Sequence, residues 1–189
     1  MRYTRKGTAV PCPYTLRCNA VPHLNGNRYS TLKVIYYIVV TIRPYQLDDL
    51  EDTVCLWYRT WHETFSHIKH PQPYSLWKAR FRDDLAVHGD VWLAEVENKI
   101  VGFVVVLKEE QWLSQLFVDM TYQNQGIGSV LLAQAKAICP QELKLHTLQA
   151  NMRACKFYER HGFKFSKLST NKINGQPNVE YYWVSEWDV

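Results

Sequence analysis

One short stretch of the chain has residue types and spacing suited to binding chemistry: Gln123-Asn124-Gln125-Gly126-Ile127-Gly128-Ser129, where two glycines one residue apart end an apolar run and open a helical pattern. Glycine costs a helix roughly 1 kcal/mol relative to alanine. A pair at a helix start therefore implies that something needs close access to the backbone. A helix N-terminus leaves about four N–H groups without intrahelical partners and carries partial positive charge. Behind a glycine turn it becomes an anion site suited to phosphate. Gln125, Gly126, Ile127, Gly128 and Ser129 would supply N–H groups there, and Ser129 a hydroxyl. No Lys-Ser/Thr follows, so this is not a P-loop, and the third glycine of GxGxxG is missing. An isolated G-x-G is otherwise explained by a tight strand-to-helix turn.

Several elements must position this turn. Residues 34–43 are β-branched and aromatic and predict a strand ended by Arg43-Pro44. Residues 47–65 predict a helix, with Asp48 or Asp49 as cap and Leu50, Val54, Trp57 and Trp61 at helical spacing. A second helical stretch runs around Leu76 to Leu85. "VWLAEV" and "IVGFVVVL" predict a hairpin around Glu97-Asn98-Lys99, and "WLSQLFV" a third strand. After the glycines, Ile127, Leu131, Ala135 and Ile138 share a helical face. "ELKLHTLQA", a helix ended by Gly162, "FKFSKLS" and "NVEYYWVSEW" complete the order β-α-α-β-β-β-α-β-α-β-β. The helical crossover implies one parallel pair in a mostly antiparallel sheet.

The chain of 189 residues fits one domain, and no apolar run reaches the length of a membrane span. Its net charge of +4 is unevenly placed. Residues 1–40 carry six basic residues and no acid, which leaves 16 basic against 18 acidic residues in the body. A slightly acidic body argues against a nucleic-acid groove, and no membrane partner is expected. Residues 1–33 are expected to form a basic extension, poorly structured or outside the core, ahead of a single domain over 34–189. The five cysteines form no CxxC pair and no zinc spacing, so no metal is expected and a cytoplasmic location is the simplest account.

The residues 123–128 match the Q/R-x-x-G-x-G/A signature of the GNAT N-acetyltransferases, and "NMRACKFYERHGF" is similar to that superfamily's second motif through Asn151, Ala154, Phe157, Tyr158, Gly162 and Phe163. Met120 departs from the family's usual proline. The resemblance covers roughly residues 38–185 and implies an α+β fold: a mixed, mostly antiparallel sheet of about six to seven strands, about four helices and a splayed, V-shaped slot. It further implies acetyl-CoA as cosubstrate. The diphosphate would lie on residues 123–129, and the pantetheine arm would lie along the backbone of Leu116, Phe117 and Val118 and against Asn151 and Ala154. Tyr158 would be general acid to the departing thiolate, since a phenol with a pKa near 10 is protonated at neutral pH.

The reaction implied is direct transfer of acetyl to a primary amine of a small molecule or peptide. Relatives often place a carboxylate on the strand before the turn. Here Ser114 occupies that place and could hold a water, with Glu109, Glu110 and Asp119 just outside the strand. The general base stays open. Trp57, Tyr58, Trp61, His62, Phe65, His67, His70, Tyr74 and Trp77 would flank the acceptor or simply pack on the sheet. Alternatives are a non-catalytic acyl-CoA sensor, a toxin-like acetyltransferase of aminoacyl-tRNA and an O-acetyltransferase. A homodimer could form through the terminal strand "VEYYWVSEW" if that strand were an edge.

Overall fold

A computed structural model describes residues 12–18 and 36–185, with side chains from residue 38 onward. Among the described residues eight strands form one sheet: β1 (Cys12–Cys18), β2 (Tyr36–Pro44), β3 (Asp90–Val96), β4 (Lys99–Leu107), β5 (Trp112–Val118), β6 (Glu142–Leu148), β7 (Lys164–Thr170) and β8 (Pro177–Val184). Their spatial order is β1-β2-β3-β4-β5-β6-β8-β7, antiparallel except between β5 and β6. The helices are α1 (Leu50–Thr64), α2 (Tyr74–Arg80), the short α3 (Ala86–His88), α4 (Ile127–Ile138) and α5 (Met152–Arg160).

The mixed α+β architecture is the expected one, with three differences. Cys12–Cys18, inside the basic extension, pairs residue for residue with β2 from Tyr36 to Ile42 and adds an edge strand. The rest of residues 1–33 lies outside the described residues. The predicted second helix is broken: α2 ends at Arg80, and Phe81–Leu85 form a wider π-helical turn before α3. The terminal strand is not an edge either. β8 lies between β6 and β7, so a dimer through its free edge is ruled out; the edges of the described sheet are β1 and β7.

The core lies on both faces of the central strands. On one face Val101, Val104 and Val106 of β4 pack with Leu131, Leu132 and Ala135 of α4, and Tyr158 of α5 joins them. On the other, Phe103 and Val105 meet Val54, Trp57 and Trp61 of α1, Trp77 of α2 and Phe81. A strand covered on both faces reads as a near-continuous apolar run, as β4 does. The hairpin joining β3 and β4 turns at Glu97 and Asn98, with φ of 50° and 62°, as a two-residue turn of matching twist requires.

Two irregularities shape β5. Val105 pairs with Gln115 and Val106 with Leu113, so Ser114 is an extra, bulged residue. A bulge bends its strand and sharpens the local twist. On the other side β5 pairs with β6 only at Trp112↔Lys144 and Leu113↔Leu145. Beyond Leu113 the two strands diverge and open the expected V-shaped slot, with α4 starting near its mouth.

Candidate acetyl-CoA and acceptor site

The slot opens into a cavity of about 1370 Å³ that runs between α1, α2, β5, β6, α4 and α5. Its lining contains Ser114, Leu116, Phe117, Val118, Gln123, Asn124, Gly126, Gly128, Ser129, Asn151, Ala154 and Tyr158. Sequence reasoning had singled out all of these. Gln125 and Ile127 are absent from the lining. Gln125 folds its amide back to the Thr121 carbonyl at 3.0 Å, and the Ile127 side chain is buried in the core.

The two glycines have different causes. Gly126 has a φ of 88°, a left-handed conformation in which a side chain would be strained. Gly128 has no such need. A Cβ there would meet the Phe157 ring at 3.5 Å and Val118 Cγ2 at 3.9 Å, both ordinary contacts. The fold therefore tolerates a Cβ at 128, and nothing in the backbone requires glycine there. The N–H groups of Asn124, Gly126, Ile127 and Gly128 make no hydrogen bond to the described residues, whereas that of Ser129 donates to the Gly126 carbonyl at 3.0 Å. The turn thus carries four backbone donors without partners among the described residues. A diphosphate fits that chemistry.

Polar side chains around the turn set its shape. Gln123 donates to the Val118 carbonyl at 2.8 Å, which ties the turn to the end of β5. Asn124 Oδ1 accepts from Arg153 at 3.4 Å. Ser129 Oγ lies 2.9 Å from His161 Nε2, while His161 Nδ1 faces the Phe157 carbonyl at 2.7 Å. A carbonyl only accepts, so Nδ1 carries the proton and, in the neutral ring, Nε2 takes the serine O–H. In that tautomer the Ser129 hydroxyl donates to His161.

Across the slot, Asn151 caps α5: its Oδ1 accepts from the Ala154 N–H at 3.1 Å, leaving its amide donors without partners among the described residues. Tyr158 is only 6% exposed, and its hydroxyl makes no hydrogen bond to the described residues. Burial pushes its phenol well above the ordinary range, with Cys155 adding to the effect. It is a proton donor at any physiological pH.

The expected carboxylates do not reach the cavity. Glu109 and Glu110 are exposed in the β4–β5 turn. Asp119 is buried and accepts from the Thr121 N–H at 3.0 Å, from the Thr121 hydroxyl and from Arg59, which makes it a pin between α1 and the turn. Glu63 and Glu180 are the cavity's acids among the described residues.

The residue that sequence reasoning missed is His146. It lies on β6 just past the point where β5 diverges, its ring 5.4 Å from that of Trp112, and it is paired in register with Glu180 on β8. Neighbours on one face of adjacent antiparallel strands interact directly. Burial lowers its pKa below the ordinary value, Glu180 works against that, and the charge of Arg80 lowers it further. A neutral, open imidazole at neutral pH can accept a proton. Only β-alternation of His146 against Leu145 and Leu143 hinted at its direction. The ring cluster of the first helices is mostly packing: Trp57 and Trp77 are 3% exposed, with ring centroids 4.5 Å apart. Trp61, His67 and His70 reach the cavity wall. Among the described residues no cluster of metal-ligating side chains occurs, and no helix is long and apolar enough to cross a membrane.

Comparison with known proteins agrees with this geometry. The model of the "Acetyltransferase (GNAT) family" matches residues 53–163. An uncharacterized N-acetyltransferase of Escherichia coli, YafP, is 31% identical over 147 residues, covering 76% of this chain and 93% of the relative. The peptidyl-lysine N-acetyltransferase YjaB of the same organism is 26% identical over 148 residues, covering 74% and 92%. Its apo solution structure superposes with a TM-score of 0.61 at 24% identity, over 78% of this chain and 99% of that one. The PaiA N-acetyltransferase of Thermoplasma acidophilum, solved with coenzyme A, superposes with a TM-score of 0.62 at 20% identity, over 77% and 98%. Two motifs on one slot, the same fold and a family match across more than half of the sequence lead to one conclusion: the chain belongs to the GNAT family of acetyltransferases.

Proposed function

We propose that the protein transfers an acetyl group from acetyl-CoA to a primary amine by direct attack within a ternary complex. The observation that carries this reading is the unpaired edge of β5 beyond Leu113, which leads from an open N–H turn at one end to Tyr158 and His146 at the other. An extended amide-bearing arm can complete such an edge as a missing strand would. Backbone groups of Leu116, Phe117 and Val118 pair with that arm, and the Asn151 amide donates to it. The N–H groups of Gly126, Ile127 and Gly128 hold the diphosphate.

The reacting atoms then meet between β5 and β6. The amine nitrogen attacks the acetyl carbon as the carbon–sulfur bond breaks. His146 takes the proton that the nitrogen must lose, and Tyr158 donates to the sulfur. Glu180 opposes the depression of the His146 pKa and stabilises the imidazolium that forms. Ser114, bulged toward the slot, holds a water between amine and imidazole if the two do not touch directly. The name of YjaB, a peptidyl-lysine N-acetyltransferase, and that of YafP support an amine acceptor.

The test is acetyl-CoA-dependent acetylation of a panel of amines, followed by mass spectrometry of the products. A product with wild type that is lost on Tyr158→Phe supports the reading. Acetyl-CoA binding with no acetylated amine across peptide and small-molecule panels would return the protein to the sensor class.

A further inference from the structure

Two arginines among the described residues are withheld from full solvent exposure, and they are treated oppositely. Arg43 is held by Asp49 at 2.7 Å and by Glu95 at 2.6 Å, and those hydrogen bonds drive its pKa further up. Arg80, the last residue of α2, makes no hydrogen bond or ion pair to any described residue. Its guanidinium lies over the Trp57 ring, 5.7 Å from the centroid, and lines the cavity. Burial lowers its pKa, opposed only by the charge of Asp84, whose carboxylate is 3.3 Å from His88.

A guanidinium drawn out of water without an acid is unfavourable unless something compensates it. The cavity's own acids are engaged elsewhere: Glu63 with Arg59 at 4.0 Å and Glu180 with Lys167 at 3.6 Å. Neighbouring His70 and His146 each feel the positive charge of Arg80, and the wall presents a cation with no ion-pair partner among the described residues. Trp61, Phe117 and Leu148 of the same cavity lining belong to the apolar cluster that holds Trp57.

We propose that Arg80 is the carboxylate-binding residue of the acceptor subsite, and that the acceptor is a small amino carboxylate, such as a free amino acid with an apolar side chain. This rests on the acetyl-transfer reading above. The carboxylate pairs with the guanidinium in the fork geometry that arginine favours, the apolar side chain lies on the rings, and the amine turns toward His146 and the slot.

The experiment compares chemical twins as acceptors with the full chain and acetyl-CoA: phenylalanine, leucine and methionine, each against its carboxamide and its decarboxylated amine. The expected result is a preference for the carboxylate of at least about tenfold in kcat/KM, the loss typical of one charged hydrogen bond. That ratio should fall toward one in Arg80→Gln and recover in part in Arg80→Lys. Equal use of the twins by wild type, or an unchanged ratio in Arg80→Gln, overturns the proposal. So does weaker acetyl-CoA binding in Arg80→Gln, which would assign the residue to the cosubstrate. Failure to acetylate any twin while acetyl-CoA still binds overturns the acceptor class alone, whereas absence of acetyl-CoA binding overturns the enzymatic reading itself. The comparison in wild type stands even if the variants do not fold.

Discussion

The two walls of the cavity are built by different means. The α4/α5 wall is made of backbone: a left-handed glycine, open N–H groups and a helix capped by Asn151. The α1/α2 and β6/β8 wall is made of side chains, namely His146, Glu180, Arg80 and the rings around them. Backbone recognition suits a ligand that is always the same, because it fixes position without needing particular side chains. Side-chain recognition can vary while the sheet stays constant. On the proposed function, the first wall would take the shared cosubstrate and the second an acceptor particular to this protein.

The largest effect should come where the walls meet. Tyr158→Phe removes the proton donor while keeping the buried ring, and kcat should fall by about a hundredfold to a thousandfold with little change in acetyl-CoA binding. A weakened acetyl-CoA affinity instead would make Tyr158 part of the binding wall. His146→Gln should lower kcat by roughly a hundredfold and remove the acid limb of the pH–rate profile. That limb should lie below the ordinary histidine value, since burial favours the neutral ring. An acid limb that survives the substitution would place the base elsewhere.

How far each wall could be read in advance follows from how each is built. The glycine turn and the Asn151 cap are local, so their spacing within a few residues identifies both. His146, Glu180 and Arg80 come together only through strand register and the end of α2, and no short segment carries that information. The bulge at Ser114 is likewise set by pairing with β4 rather than by Ser114 itself. β1 was missed although Cys12, Tyr14, Leu16 and Cys18 alternate with polar residues and proline. Two prolines and the surrounding turn residues outweighed a pattern only seven residues long.

Two smaller effects sharpen the comparison. Burial alone would raise the Asp119 carboxyl, but Thr121, Arg59 and Lys99 outweigh it and hold it below the usual range. Its contribution to stability is therefore present above the ordinary carboxylate range and is lost as pH falls through the depressed folded value. Asp119→Asn should cost about 1–3 kcal/mol in urea unfolding at neutral pH, with the difference narrowing in acid. An unchanged midpoint would show that Asp119 does not pin α1 to the turn. The smallest change is expected from Glu180→Gln. Losing the charge that raises the His146 pKa should move the acid limb to lower pH. A shift upward would contradict the pairing across β6 and β8.

The central claim is that Gly128 is bare for a ligand and not for the fold. Calorimetric titration of acetyl-CoA into wild type and into Gly128→Glu tests it most directly, with matching circular dichroism as the condition. The account predicts saturable binding to wild type and at least about a hundredfold weaker binding to the variant, where a carboxylate occupies the anion's approach. Equal affinity in the two proteins, or no binding to folded wild type, would contradict it.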